Sequence, residues 1–168
     1  MGAGALARGE MDGDGDLDIV SASYSAGSAN LIVLPNIGGG IFGTRVRYTV
    51  GASLQDIRLG DLDDDDDLDV VVSSLSTDSV IVLANDGSGF LEAHMEYPAR
   101  LPSGLGLDDF TGDGALDVAV TTKFFTNSVR ILCNDKPGVF NEVRDFSVAT
   151  GPEGLAVGDL NNDGSPDI

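Results

Sequence analysis

The 168-residue chain contains one cysteine, one histidine, no tryptophan and only nine lysine or arginine residues. With Cys133 alone, no intrachain disulfide can form and cysteine usage leaves the redox compartment unread. Cys133 follows the apolar run Val129-Arg130-Ile131-Leu132, a setting for a buried small hydrophobe rather than a reactive thiol. No basic stripe exists to neutralise phosphates, which argues against a nucleic-acid partner. No apolar run approaches the ~20 residues of a spanning helix, so no direct membrane insertion is expected. The segment Met1 to Arg8 lacks the apolar core of a signal peptide. His94 lies in a charged stretch, where a solvated side chain is expected in preference to a general base. No nucleophile paired with a base stands out either, and the chain is not expected to be an enzyme.

What the chain has in excess is carboxylate. The formal net charge is −19, yet the excess is local. Four nine-residue stretches hold 18 of the 28 acidic residues and no Lys or Arg; the rest of the chain carries 10 acids against 9 bases. Charge serving only solubility would be scattered.

The densest stretch is Asp61-Leu-Asp63-Asp-Asp65-Asp66-Asp67-Leu-Asp69, followed at once by Val70-Val71-Val72. Its frame recurs as Glu10-x-Asp12-x-Asp14-Gly15-Asp16-Leu17-Asp18, as Asp109-x-Thr111-x-Asp113-Gly114-Ala115-Leu116-Asp117, and as Asp159-x-Asn161-x-Asp163-Gly164-Ser165-Pro166-Asp167. The starts at 10, 61, 109 and 159 lie 51, 48 and 50 residues apart, so the chain is an internal repeat with a loop at a fixed place in each unit.

The segments between loops read as strands. Ahead of each loop come Ala3 to Gly9, Leu54 to Gly60, Pro102 to Asp108 and Pro152 to Gly158, alternating apolar and small residues. Gly104, Gly106, Ala156 and Gly158 suggest a crowded place where backbones approach closely. After the loops come the β-branched runs Ile19 to Ser23, Val70 to Ser74 and Val118 to Thr122. Third strands follow at Asn30 to Leu34, Ser79 to Leu83 and Ser128 to Leu132. Turns are expected at Asn36 to Gly40, Asn85 to Gly89 and Asn134 to Gly138. Polar fourth strands, Phe42 to Tyr48, Phe90 to Tyr97 and Phe140 to Phe146, suit an exposed outer edge.

Four short antiparallel strands per ~49 residues is the signature of a propeller blade, with the small-residue strand nearest the axis. The fold class is therefore all-β, a single domain over 1–168 made of β-propeller blades. The repeats run at about 2–50, 51–99 and 100–150, with a partial fourth at 151–168. Three full blades and a fraction should not close a ring alone. The chain is thus expected to belong to something longer, or to self-associate.

In the frame D-x-D-x-D-G-x-x-D, side chains at positions 1, 3 and 5 converge on one centre. Gly at position 6 permits the bend, position 7 offers its carbonyl, and position 9 returns a carboxylate. Calcium, which takes 6–8 oxygens at loose geometry, fits such a cage better than magnesium. An EF-hand would need Glu at position 12 and flanking helices, whereas Ser21, Val72 and Val120 stand there inside apparent strands. The tandem Gly-rich nonapeptides of a calcium β-helix are also absent.

The acidic frames, the Leu-Asp-Val-Val-Val type strand and the Asn-Asp-Gly-x-Gly-x-Phe type turn together resemble the FG-GAP/VCBS repeats of integrin α-subunit propellers and secreted microbial propellers. The resemblance covers essentially the whole chain. It implies a calcium-stabilised propeller at an extracellular or cell-surface location, serving adhesion or recognition of a protein or carbohydrate ligand. Up to four Ca2+ ions are implied, one per loop. Carried over by position, the ligands are Glu10, Asp12, Asp14 and Asp18; Asp61, Asp63, Asp65 and Asp69; Asp109, Asp113 and Asp117; and Asp159, Asn161, Asp163 and Asp167. The backbone carbonyls would come from Asp16, Asp67, Ala115 and Ser165. Loop one departs from the pattern with Glu10, loop two with Asp66 in place of Gly, and loop three with Thr111, a weaker ligand at position 3. The alternative reading is a scaffold or carbohydrate-binding part of a secreted polysaccharide-active enzyme.

Overall fold

The computed structural model describes residues 3–24, 31–123 and 127–168, apart from the side chains of residues 3, 93, 94 and 136. The expectation for the His94 side chain and the start of the third strand at Asn30 fall outside the described residues.

Twelve strands form three four-stranded antiparallel sheets, each a simple meander, and the described residues contain no helix. The first sheet comprises β1 (Ala3–Gly9), β2 (Asp18–Ser23), β3 (Leu31–Leu34) and β4 (Val46–Tyr48). The second comprises β5 (Leu54–Gly60), β6 (Asp69–Ser74), β7 (Ser79–Asn85) and β8 (Leu91–Pro98). The third comprises β9 (Pro102–Asp108), β10 (Asp117–Thr122), β11 (Ser128–Lys136) and β12 (Val139–Ser147). The expected all-β blades are present. In the incomplete fourth unit, Gly158 and Asp167 exchange an antiparallel pair of hydrogen bonds of 3.1 and 2.9 Å.

Strand period decides how the blades stack. In β6 and β7 successive side chains point to opposite faces, and both faces are buried. Val70, Val72, Ile81 and Leu83 join Val20, Ala22, Leu31 and Val33 of the first blade in one core. Val71, Val80 and Val82 join Leu105, Val118, Val120 and Leu132 of the third blade in the next. A fully buried Leu or Ile side chain contributes about 1.5–3 kcal/mol. On the far face of the third blade, Phe110 and Leu155 pack against Val129, Ile131 and the buried Cys133. An open apolar cleft of about 380 Å³ lined by Phe110, Phe146, Val148 and Ile168 continues that face.

The inner strands sit as their composition suggests. β1 packs on β5 and β5 on β9. The Gly104 amide donates to the Glu153 carbonyl at 2.9 Å, and a Cβ at Gly104 would stand 2.9 Å from Gly154 Cα and 3.0 Å from Glu153 O. Each inner strand also carries a register shift near its start. Polar side chains of the second strand fill it: Ser73 Oγ accepts the Asp56 amide at 3.1 Å, and Thr121 Oγ1 accepts the Gly104 amide at 2.9 Å; Ser73 Oγ also donates across to the Ser103 carbonyl of the next blade at 2.7 Å.

At the outer edge, Tyr48 meets Phe90 edge-on at 6.0 Å and Tyr97 meets Phe140 at 5.1 Å, each pair bridging adjacent blades. Two outer elements differ from the sequence expectation. β4 is shorter than Phe42 to Tyr48, because Pro35 has no N–H to continue the ladder and only an Asn36–Phe42 bridge forms before it. In the third blade the turn tightens to Pro137-Gly138, with β11 running on to Lys136.

Gly104→Ala should therefore destabilise the protein by about 1–3 kcal/mol in chemical denaturation, since backbone must move to admit the methyl group. Gly154→Ala, with nothing within 4 Å of the added carbon, should be near neutral.

Candidate metal centres

The four acidic frames lie at the tips of the hairpins that join first and second strands, and their backbones follow one plan. Positions 4 and 6 are left-handed throughout. Gly13, Asp64, Gly112 and Asn162 have φ of 77°, 65°, 78° and 60°, and Gly15, Asp66, Gly114 and Gly164 have 88°, 72°, 94° and 85°. Asp66 thus makes the bend expected of Gly, at a steric cost that Asp tolerates better than most residues. The left-handed residue at position 4 escapes the motif, although Gly, Asp and Asn are the types that accept it.

Two left-handed residues turn the loop amides inward, and they wrap the carboxylates. Asp61 Oδ1 accepts the Asp64 and Asp65 amides at 2.8 and 3.3 Å, and its Oδ2 accepts Asp66 at 3.0 Å. Asp109 is held likewise by Gly112, Asp113 and Gly114, and Asp159 by Asp163 and Gly164. Glu10 reaches Asp12 and Gly13 at 2.9 and 2.6 Å. Position 5 accepts the amide of position 7 in every loop: Asp14 from Asp16, Asp65 from Asp67, Asp113 from Ala115, and Asp163 from Ser165, at 2.8–3.0 Å.

Position 9 is a bracket. Oδ2 of Asp18, Asp69, Asp117 and Asp167 accepts the amide of Met11, Leu62, Phe110 and Leu160, each at 2.9 Å. Oδ1 of the first three accepts the amide of Asn36, Asn85 and Asn134 at 2.7, 2.9 and 2.7 Å. One buried carboxylate therefore ties the loop to the turn between the third and fourth strands. Asn85 and Asn134, read from sequence only as turn residues, are buried parts of the site at 3% and 2% exposure.

Loops one and two differ from three and four at position 3. One oxygen of each of Glu10, Asp12 and Asp18 lies within 4.8 Å of the others, and the same holds for Asp61, Asp63 and Asp65. Oδ1 of Asp12 and of Asp63 is buried without a hydrogen-bond partner. Burial, followed by the charges of Asp18 and Asp14, raises the Asp12 carboxyl above its ordinary value. Burial and then Asp65 do the same to Asp63. In loops three and four Thr111 and Asn161 remove that charge, and no such trio forms among the described residues. Burial works against ionisation of Asp109, yet backbone amides hold its carboxyl below the ordinary range. The Gly164 amide first, and the Ser165 amide first, lower Asp159 and Asp163.

A carboxylate oxygen shut away from water and from donors, beside two more carboxylates, has the environment of a hard-cation ligand. Glu10, Asp12 and Asp18 in loop one, and Asp61, Asp63 and Asp65 in loop two, fit such an ion. Asp14 and Asp69 stand outside these closest groups, as do the ligand candidates of loops three and four, namely Asp109, Thr111, Asp113, Asp117, Asp159, Asn161, Asp163 and Asp167. Asp16, Asp67, Ala115 and Ser165 occupy position 7, each with its amide on the position-5 carboxylate.

The FG-GAP-like repeat profile matches residues 11–72 and 109–168. The chain belongs to the FG-GAP-like repeat family. Among solved structures, a β-propeller-like lectin from Agrocybe aegerita, described for its specific recognition of non-reducing terminal N-acetylglucosamine, matches these FG-GAP repeats with a TM-score of 0.58 at 22% identity. The match covers 83% of this chain and 37% of the lectin chain, and at that identity it speaks to the fold. No curated protein matches the chain.

Burial raises the Asp69 carboxyl to about 6, against the Asn85 and Leu62 amides that favour its ionised form. A group raised in the folded state adds stability that is fully present below its unfolded value, near 3.8, and is lost as pH rises through about 6. The carboxyls that are lowered lose their contribution only below their ordinary range. Metal-free protein should therefore melt higher at pH 5.5 than at pH 7.5, and Asp69→Asn should flatten that difference; a lower melt at pH 5.5 would contradict the assignment.

Proposed function

We propose that the chain is a non-catalytic, calcium-stabilised set of propeller blades that presents a recognition surface outside the cell, with a carbohydrate as its ligand. The observation that carries the calcium reading is the buried, partnerless Oδ1 of Asp12 and Asp63 inside three-carboxylate clusters. A bound Ca2+ would supply positive charge to those oxygens. The chain's own part is to hold the remaining carboxylate atoms on backbone amides, so that little rearrangement is needed. Extracellular calcium modules bind at about 10⁻⁴–10⁻³ M, which suits permanent occupancy where calcium is abundant.

Carbohydrate recognition is supported by the likeness to the N-acetylglucosamine-recognising lectin and by a groove on the loop side of the blades. The groove, about 430 Å³, is lined by Asp61, Asp64, Asp113, Gly114 and Pro137 between the second and third loops. Carboxylates there offer acceptors for sugar hydroxyls, and the volume lies in the range of small-ligand sites. The clustered carboxylates accept hydrogen bonds from loop amides, which supports a structural rather than catalytic use of them.

Excess chelator should lower the melting temperature by about 5 °C or more relative to millimolar calcium, because only the folded state binds the ion. Asp63→Ala should remove part of that shift. A glycan array in calcium should show binding to terminal amino sugars that is lost in chelator. An unchanged melt would overturn the calcium reading, and a blank array on calcium-loaded protein would overturn the carbohydrate reading.

A further inference from the structure

The two buried asparagines join the acidic loops into one hydrogen-bonded series. Within loop one, the Met11 amide donates to Asp18 Oδ2, and the Met11 carbonyl accepts Asn85 Nδ2 at 2.9 Å from the next blade, 74 residues away. The Asn85 amide donates to Asp69 Oδ1, whose Oδ2 holds the Leu62 amide of loop two. The Leu62 carbonyl accepts Asn134 Nδ2 at 2.8 Å, the Asn134 amide donates to Asp117 Oδ1, and Asp117 Oδ2 holds the Phe110 amide of loop three. Every blade boundary in the stack of three is thus crossed by the same link, from a position-9 carboxylate through an asparagine to the residue between positions 1 and 3 of the preceding loop.

The asparagine orientation is fixed by its partners. Asn134 Nδ2 meets two carbonyls, Leu62 O and Leu116 O at 3.1 Å, so a reversed amide would set oxygen against oxygen. Oδ1 of both Asn85 and Asn134 is buried and has no donor. Each side chain therefore acts through its donor end, toward the neighbouring loop. Asn36, the equivalent residue of the first blade, is half-buried and donates to its own Leu17 carbonyl at 3.3 Å, as Asn134 does to Leu116.

We propose that Asn85 and Asn134 are positioning residues that couple each acidic loop to the loop of the next blade, so that ordering one loop raises the cation affinity of its neighbour. The inference rests on the calcium reading. The Met11 peptide lies between Glu10 and Asp12, with its N–H held inside its own loop and its C=O held by the next blade. A cation that draws in Asp12 and Asp18 fixes that peptide, and through Asn85 it fixes Asp69, the bracket of loop two. A purely structural asparagine, capping a carbonyl and nothing more, would stabilise the protein without linking the two sites.

The test is a double-mutant cycle on the whole chain, with calcium as the probe and loop-two affinity read from the amide resonances of Asp64 to Asp66. With Asn85 present, Asp12→Ala should weaken calcium binding at loop two by about fivefold or more. In an Asn85→Ala background the same change should cost less than about twofold. Asn134→Ala should leave the coupling between loops one and two intact. Equal effects of Asp12→Ala in both backgrounds, or none in either, would overturn the proposal. Amide exchange in calcium-free protein supplies the second readout: Asn85→Ala should speed exchange at Asp12 and Gly13 while Gly112 and Gly114 keep their rates. If the protein takes up no calcium at all, the calcium reading fails, and this exchange comparison alone decides whether the loops are linked, with unchanged rates overturning the link.

Discussion

Carboxylates crowded at a hairpin tip must find donors or a cation, and that requirement organises each blade. Backbone amides answer most of it. Left-handed residues at two places in every loop aim a fan of N–H groups at the first and fifth positions, while the ninth carboxylate binds two amides of its own blade. What the backbone leaves unanswered in loops one and two is the oxygen at the third position. The repeat therefore combines a self-sufficient scaffold with a residual charge that points to an ion.

The same groups that shape one loop also connect blades. An asparagine that begins the outer turn is pinned by the carboxylate of its own blade and holds the loop of the blade before it. Apolar side chains from both faces of the middle sheet fill the two spaces on either side, and the inner strands use Gly where backbones meet. Polar and apolar contacts thus act at one boundary, with the loops above and the core below.

Much of this was legible in the sequence. The recurrence of the acidic frame gave the blade length, the β-branched runs gave the buried second and third strands, and Gly104 and Gly106 marked the crowded inner strand. The dual use of Asp69 was not legible, since a motif shows that an acid is present without showing that both its oxygens are taken by amides. Asn85 and Asn134 read as turn residues because their partners, Met11 and Leu62, lie more than seventy positions away. Pro35 was visible, but its effect on the outer ladder of the first blade depended on which neighbour needed its missing N–H. The difference between loops one and two and loops three and four was foreshadowed by Thr111 and Asn161, while the orphaned oxygens needed side-chain positions.

The proposed affinity for a hard divalent cation rests on this arrangement more directly than does the identity of any ligand held by the blades. Equilibrium dialysis against millimolar calcium, with the metal counted per chain by atomic absorption, tests it most directly. At least two ions per folded chain are expected, falling by about one each on Asp12→Ala and Asp63→Ala. A folded chain that retains no calcium under those conditions would contradict the account.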